Sequence, residues 1–182
     1  MIKLLGAVLC SAVVLAGTAG FKTYKNGYFS TSVPGWTLSA VTEDEEFGVY
    51  STELVSPDST RLAPAMIYVS YYAPGNALYA DIPGFIKGMG GGAVTVKGNS
   101  VKPAVRSKAG KYSAKAFEST QVKFIPPDSP DAKEVRIREK HVLVADSKKK
   151  GFYVLRLFAG GSVYEKNLKV FNEVVAGFVR LK

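Results

Sequence analysis

The chain is poor in the side chains that build disulfides and metal sites. Its 182 residues include one cysteine, Cys10, one histidine, His141, and one tryptophan, Trp36. A single cysteine excludes an internal disulfide and a cysteine zinc site, and a single histidine excludes a zinc site built from several histidines. No Gly-x-Ser-x-Gly segment is present to place a catalytic serine beside His141. The sequence therefore predicts no catalytic residues, no metal site and no cofactor.

Long apolar runs are also scarce, and the one that exists lies at the start of the chain. A short basic start is followed by an apolar stretch from Leu4 to Leu15 and by the small residues of Ala16–Ala19. This is the layout of a secretory signal peptide, and the run is short for a membrane span of about 30 Å. Cys10 lies in the middle of the run, which argues against lipid attachment. We expect residues 1–19 to be a signal peptide and the protein to be periplasmic or extracellular, with no transmembrane span after cleavage.

The remaining residues, 20–182, are enough for one domain, and their charge is uneven. From Gly20 to Val94, four basic and seven acidic residues give a net charge of −3. From Thr95 to Lys182, nineteen basic and eight acidic residues give +11. A basic half favours an anionic partner, such as a lipid surface, a cell-wall polymer or an acidic protein, and export argues against nucleic acid. The alternative is that these cations only maintain solubility and blunt strand edges.

Alternation of apolar and polar residues predicts that strands dominate the fold. Asn26-Gly27 predicts a hairpin turn near the start, and Trp36, Leu38 and Ala40 are expected on one face of the next strand. Further strands are expected at 47–55, 65–72, 94–96, 101–105, 112–125, 134–145 and 152–158. Short connections between the last three predict an antiparallel meander.

Two segments carry helical patterns. Ala77–Met89 predicts a short helix that is irregular at Pro83-Gly84, followed by a loop at Gly88–Gly92. The last helix is predicted to begin at a capping box of Ser162 and Glu165. Its apolar stripe is Tyr164, Leu168, Phe171, Val175 and Phe178. The predicted class is α+β, with an antiparallel sheet flanked by helices, an N-terminal hairpin and a C-terminal amphipathic helix. Trp36 is expected to be buried against that helix.

Both ends of the chain resemble a known family. Tyr24-Lys25-Asn26-Gly27-Tyr28-Phe29 leading to Pro34-Gly35-Trp36 resembles the opening of PsbP-like domains. Gly151–Leu155, Tyr164-Glu165-Lys166 and Phe178–Leu181 are similar to the closing strand and helix of that family. The resemblance implies an α/β/α sandwich of the PsbP/Mog1 type. It also implies a non-enzymatic subunit or assembly factor, and it carries no catalytic residues over to this chain.

Three local patterns that suggest chemistry are rejected. Gly88–Ala93 matches the dinucleotide fingerprint G-x-G-x-x-A, but a helical pattern precedes it and a strand follows, which is the reverse of the required order. His141 falls in a predicted strand with no ligand or catalytic partner in sight. Glu43-Asp44-Glu45-Glu46 lacks the spacing and the glycine of a calcium loop.

One strand concentrates positive charge. Arg136, Arg138 and Lys140 alternate with Val135 and Ile137, so the three cations share a face. With the following turn, the candidate anionic-partner patch is Arg136, Arg138, Lys140, Lys148, Lys149 and Lys150. Lys115 and Lys123 share a face of the neighbouring strand and would enlarge the patch if the two faces coincide. Solvated strand faces remain the alternative reading.

Three functions from different classes follow from these patterns. The first is an exported, non-catalytic binding or assembly domain that docks through its basic face on a membrane-associated protein or an anionic envelope component. The second is a small-ligand carrier or sensor with a pocket near the Gly88–Gly92 loop. The third is a hydrolase whose site the sequence does not reveal. The sequence leaves the oligomeric state undetermined.

Overall fold

The computed structural model describes residues 20–23, 29–33, 35–91 and 97–180, which contain ten strands and two helices. The strands are β1 Gly20–Thr23, β2 Phe29–Ser32, β3 Thr37–Asp44, β4 Val49–Val55, β5 Ala65–Tyr72, β6 Ser100–Val101, β7 Val105–Ala109, β8 Tyr112–Ile125, β9 Lys133–Ala145 and β10 Phe152–Gly160. The helices are α1 Ile82–Gly91 and α2 Tyr164–Ala176. The predicted signal peptide, the Asn26-Gly27 turn and the strand predicted at 94–96 lie outside the described residues.

Eight strands form one antiparallel sheet in the order β3-β4-β5-β10-β9-β8-β6, with β7 also paired to β8. β1 and β2 pair antiparallel in a separate two-stranded sheet. The predicted antiparallel α+β class is confirmed, as is the meander of β8, β9 and β10. β10 also pairs with β5, so the last strand lies in the middle of the sheet and joins the two halves of the chain.

The larger core lies between the sheet and α2. Tyr164, Phe171 and Val174 of the helix are fully buried. They belong to one apolar cluster with alternate residues of the central strands, including Ile67 and Leu155. Trp36 packs against this cluster but is only half-buried, so the prediction of a buried tryptophan is too strong.

α1 covers part of the opposite face of the sheet. Phe85 is buried there with Phe117, Leu143, Phe152 and Val154. The Phe85 ring lies edge-on to Tyr72 at 5.6 Å and to Phe152 at 6.0 Å between centroids. Burial of these aromatic rings stabilises a helix that its glycines alone would disfavour.

The helix tolerates Pro83 because a proline in the first turn gives up no intrahelical hydrogen bond. Asp81 caps this turn: its Oδ1 accepts a hydrogen bond from the Gly84 N–H at 2.7 Å. The prediction of a loop from Gly88 is wrong for Gly88–Gly91, which are helical. At Gly88 a Cβ would lie 2.7 Å from the Tyr79 ring, so glycine permits that ring to pack closely on the helix.

The predicted capping box of α2 is wrong. Val163 occupies the N-cap position and makes no side-chain capping bond, while Ser162 is exposed before it. Glu165 instead forms an ion pair with Arg138 of β9, with 2.6 Å between Oε1 and Nη1. The buried stripe is also rotated from the predicted one: Asn167 and Val174 are buried, whereas Leu168 and Val175 are half-buried.

Two predicted strands differ in detail. In β3 the pairing shifts between Leu38, which pairs with Leu54, and Ala40, which pairs with Glu53. The extra residue, Ser39, forms a β-bulge, so Leu38 and Ala40 do not share a face as predicted. The strand expected at 101–105 is split: β6 ends at its first residue and β7 begins at its last.

Candidate functional site

The three basic side chains predicted on one face of β9 do share a face, and it is the face that α2 covers. The Arg138 guanidinium carbon lies 3.8 Å from the Tyr164 ring centroid, and its Nη1 also pairs with Glu165. Lys140 Nζ donates a hydrogen bond to Asn172 Oδ1 at 3.3 Å. Arg136, nearer the start of the strand, is exposed. Two of the three predicted cations therefore have partners on α2.

The three lysines of the predicted patch occupy the turn between β9 and β10, and all are exposed. The buried Asp146 organises this turn, since its Oδ1 accepts backbone N–H bonds from Lys148 at 3.0 Å and Lys149 at 3.3 Å. Lys150 has a positive φ of 60°, a backbone conformation typical of tight turns. The turn thus presents its cations on a defined backbone.

The turn and Arg136 lie far apart. Arg136 and Ala145 are nine residue steps apart in an extended strand, which corresponds to about 30 Å at roughly 3.3 Å per residue. Arg136 and the lysine turn therefore lie near opposite ends of β9, with Arg138 and Lys140 between them. The structure does not gather the six predicted residues into one patch.

Lys115 and Lys123 do not enlarge the Arg136 face, because they lie on the other side of the sheet. In the register of β8 and β9, Lys115 pairs with Leu143 and Lys123 pairs with Val135. Directly paired residues of an antiparallel ladder share a face, and Leu143 belongs to the core under α1. The hypothesis that the two basic faces coincide is wrong.

A different basic cluster lies on the α1 side of the sheet. Arg106 of β7 pairs with Lys115 of β8, and Lys108 pairs with Ser113 two positions along. These cations border a groove of about 550 Å³ next to the first residue of α1. We call it the basic groove, lined by Ile82, Arg106, Ser107, Lys108, Ser113, Ala114, Lys115, Leu143 and Ala145.

The basic groove contains three cations and no carboxylate among its lining residues. Within the described chain, none of Arg106, Lys108 and Lys115 takes part in the recorded ion pairs. Arg106 and Lys115 lie directly opposite each other, an arrangement in which like charges repel. The groove is therefore a region of concentrated positive charge that an anion would neutralise.

A second groove, of about 360 Å³, adjoins the first and shares Ile82, Lys115 and Ala145 with it. Its other lining residues are Ala80, Asp81, Pro83, Asp146, Lys150, Gly151 and Phe152. Both of its carboxylates have partners, because Asp81 caps α1 and Asp146 accepts bonds from the turn. We call this the side groove. It brings Lys150, a residue of the predicted patch, next to the basic groove.

Sequence reasoning missed Arg106 and Lys108 because the predicted strand ended at Val105, where β7 begins. The alternation of Arg106 and Lys108 is visible in the sequence once the strand is extended. The register that places Arg106 against Lys115 is set by the two-residue turn between Ala109 and Tyr112, in which Gly110 has a φ of 50°.

The lone histidine lies elsewhere on the α1 face and is fully buried. Its ring stacks on Phe117 with 4.4 Å between centroids, and its Nε2 lies 2.9 Å from Oε2 of the buried Glu139. Burial, opposed in part by Glu139, lowers the pKa of His141 below its ordinary value of 6.5. A neutral imidazole then donates its Nε2–H to the Glu139 carboxylate.

Nδ1 of His141 and the hydroxyl of Ser119 have no hydrogen-bond partner among the residues that the structure describes. Ser119 lies directly across from Glu139 on β8, so a serine, a histidine and a glutamate share one region of the sheet. No hydrogen bond joins the Ser119 hydroxyl to the histidine, and both side chains are buried. The arrangement lacks the contact that would make Ser119 a nucleophile.

No protein-family model matches the chain, and neither a curated protein nor a solved structure matches it. The PsbP-like resemblance therefore stays a prediction. In the described residues, neither helix has the length and apolar character needed to cross a bilayer.

Proposed function

We propose that this protein is an exported, non-catalytic binding domain that docks on an anionic surface of the cell envelope through its basic groove. The observation that carries the proposal is the grouping of Arg106, Lys108 and Lys115 with no carboxylate among the residues that line the groove. The proposal retains the basic interaction face expected from the sequence and moves it from β9 to β7 and β8.

Electrostatics supports an anionic partner. Each Lys or Arg near an acidic membrane surface contributes about 1 kcal/mol of attraction. Lys148, Lys149 and Lys150 are exposed on the neighbouring turn, and Lys150 lines the side groove. This end of the sheet therefore attracts an anionic surface over a wider area than the groove alone.

The lining of the basic groove favours phosphate or carboxylate groups over nucleobases. None of its nine lining residues is aromatic. Proteins that bind single-stranded nucleic acid stack bases on aromatic side chains, whereas lipid headgroups and acidic polymers need only cations. Acidic phospholipid headgroups supply such phosphate groups, so a phospholipid surface is the anionic partner of this proposal.

Vesicle binding tests the proposal. We expect the protein to co-sediment with vesicles of phosphatidylglycerol and phosphatidylcholine, and not with phosphatidylcholine alone. Binding should fall as salt rises, because the Debye length shortens to about 3 Å at 1 M salt. The double variant Arg106→Glu, Lys115→Glu should bind at least about 30-fold more weakly, from about 1 kcal/mol for each lost cation.

The matched control is Lys133→Glu with Lys169→Glu, which changes the net charge equally at two exposed lysines outside both grooves. We expect this control to keep most of the affinity. Equal losses in the two double variants would show that net charge alone drives binding and that the groove has no special role.

A further inference from the structure

We propose that the basic groove and the side groove together bind one anionic amphiphile, with its headgroup on Arg106, Lys108 and Lys115 and its apolar part in the side groove. The inference rests on the proposed function and deepens it, because it names a ligand class for the same site. A flat anionic surface needs only the cations, whereas an amphiphile also needs the apolar lining.

The lining residues change in character from the basic groove to the side groove. The cations Arg106 and Lys108 line only the basic groove. The residues that line only the side groove are mostly uncharged, namely Ala80, Pro83, Gly151 and Phe152, and the charged ones are Asp81, Asp146 and Lys150. The two grooves meet at Ile82, Lys115 and Ala145, so a ligand can run from the charged region to the apolar one without leaving the surface.

Apolar side chains in the side groove are uncovered. Ala80, Pro83 and Ala145 are exposed and Ile82 is half-buried, although all four surround one concave space. Apolar area that an amphiphile removes from water stabilises the bound state in proportion to that area. The Phe152 ring, nearly fully buried, lines the same groove.

The two grooves are also of a suitable size for a small molecule. The grooves measure about 550 Å³ and about 360 Å³, and each lies in the range of small-molecule sites, roughly 300 to 1,000 Å³. The two anionic groups that line the side groove already accept hydrogen bonds, Asp81 from Gly84 and Asp146 from the lysine turn. The cations of the basic groove, together with Lys150 of the side groove, are then the groups that select an anionic ligand.

The test uses a soluble amphiphile, dihexanoyl phosphatidic acid, below its critical micelle concentration and measured by titration calorimetry. We expect saturable binding of one molecule per chain. Inorganic phosphate supplies the charge alone, and dihexanoylglycerol supplies the apolar part alone. Because each lacks one half of the ligand, each should bind at least about tenfold more weakly, a difference of about 1.4 kcal/mol.

Ala80→Trp is the decisive variant, because it fills the side groove, lies outside the basic groove and removes no charge. It should weaken the amphiphile at least about tenfold while leaving the salt-dependent vesicle binding within about twofold. Ala176→Trp, at the exposed end of α2 on the other face of the sheet, is the matched control and should change neither. Should Ala80→Trp unfold, Pro83→Trp in the first turn of α1 fills the side groove instead.

The outcomes separate the two proposals. Unchanged amphiphile binding in a folded groove-filling variant, or equal binding of inorganic phosphate and the amphiphile, overturns the ligand inference and leaves vesicle docking intact. Failure of the wild-type protein to bind anionic vesicles overturns the proposed function, whatever the calorimetry shows.

Discussion

The guanidinium group of Arg138 lies over the ring of Tyr164, with 3.8 Å between its central carbon and the ring centroid. Tyr164 is the first residue of α2 and is fully buried, and burial raises the pKa of its hydroxyl to about 12. The strand cation thus covers the ring that anchors the start of the helix. This contact gives Arg138 a structural role that its neighbour Arg136 does not share.

Arg138→Ala should therefore destabilise the fold, whereas Arg136→Ala should not. A cation over an aromatic ring contributes about 0.5–2 kcal/mol, and the exposed ion pair with Glu165 adds little. We expect Arg138→Ala to lower the free energy of unfolding by about 1–2 kcal/mol and Arg136→Ala to change it by less than about 0.5 kcal/mol. Urea denaturation of both variants measures the difference. Equal effects would contradict a structural role for the Tyr164 contact.

The buried pair of His141 and Glu139 should make stability depend on pH. Burial lowers the pKa of His141 below 6.5, so between the two pKa values the unfolded chain binds a proton that the folded chain does not bind. Stability should consequently decline as pH falls below about 7 toward the folded pKa.

Glu139 contributes in a second, more acidic range. Burial opposes its ionisation, but the hydrogen bond and charge of His141 outweigh burial and hold its pKa below 4.5. Its stabilising contribution is present above that value and is lost as pH falls through the folded pKa.

His141→Gln should remove the decline in the His141 range, which denaturation at pH 5, 6, 7 and 8 detects. A wild-type protein equally stable at all four values would show that His141 titrates normally.

Phe171 should carry a large share of the core energy. It is fully buried at the centre of the α2 face, and truncation of a buried phenylalanine typically costs about 3–5 kcal/mol. We expect Phe171→Ala to lower the melting temperature strongly. Val179→Ala, at a side chain that is 55% exposed just beyond the helix, should change it little. If Phe171→Ala lowered the melting temperature only slightly, α2 would contribute less to the stability of the core than its burial indicates.

Asp146→Ala should loosen the lysine turn. The substitution removes an acceptor of two backbone hydrogen bonds, each worth about 0.5–1.5 kcal/mol, and leaves the N–H groups of Lys148 and Lys149 without it. We expect a loss of about 1–2 kcal/mol in the free energy of unfolding. Asp146→Asn keeps an acceptor oxygen and should recover most of the loss. If the asparagine variant is as unstable as the alanine variant, the carboxylate charge, rather than the hydrogen bonds, organises the turn.

Strands with clear alternation between turn residues were predictable, and β5 and β8 have the predicted bounds. The length of α1 was not predictable, because its glycines disfavour a helix. The packing of Phe85 on Tyr72 and Phe152, which offsets that cost, cannot be read from the local sequence. The capping box failed for a similar reason. Glu165 has a partner on β9 that no local pattern in the sequence shows.

The positive charge of the candidate site could be predicted from the sequence, but its position on the sheet could not. The excess of basic residues in the second half of the chain was evident from composition. Its division between two faces of the sheet depends on the pairing of Lys115 with Leu143 and Arg106 with Lys115. A shift of one residue in either register would move every side chain of that strand to the opposite face.

The bulge at Ser39 affects how readily a second copy of the chain can pair with the edge of the sheet. Among the described strands, β3 pairs only with β4, and it is exposed along most of its length, so it is a strand to which another chain would add. A bulge interrupts the regular spacing of backbone donors and acceptors and increases the local twist. The irregularity at Leu38 and Ala40 therefore hinders the addition of a second chain along this edge of the sheet.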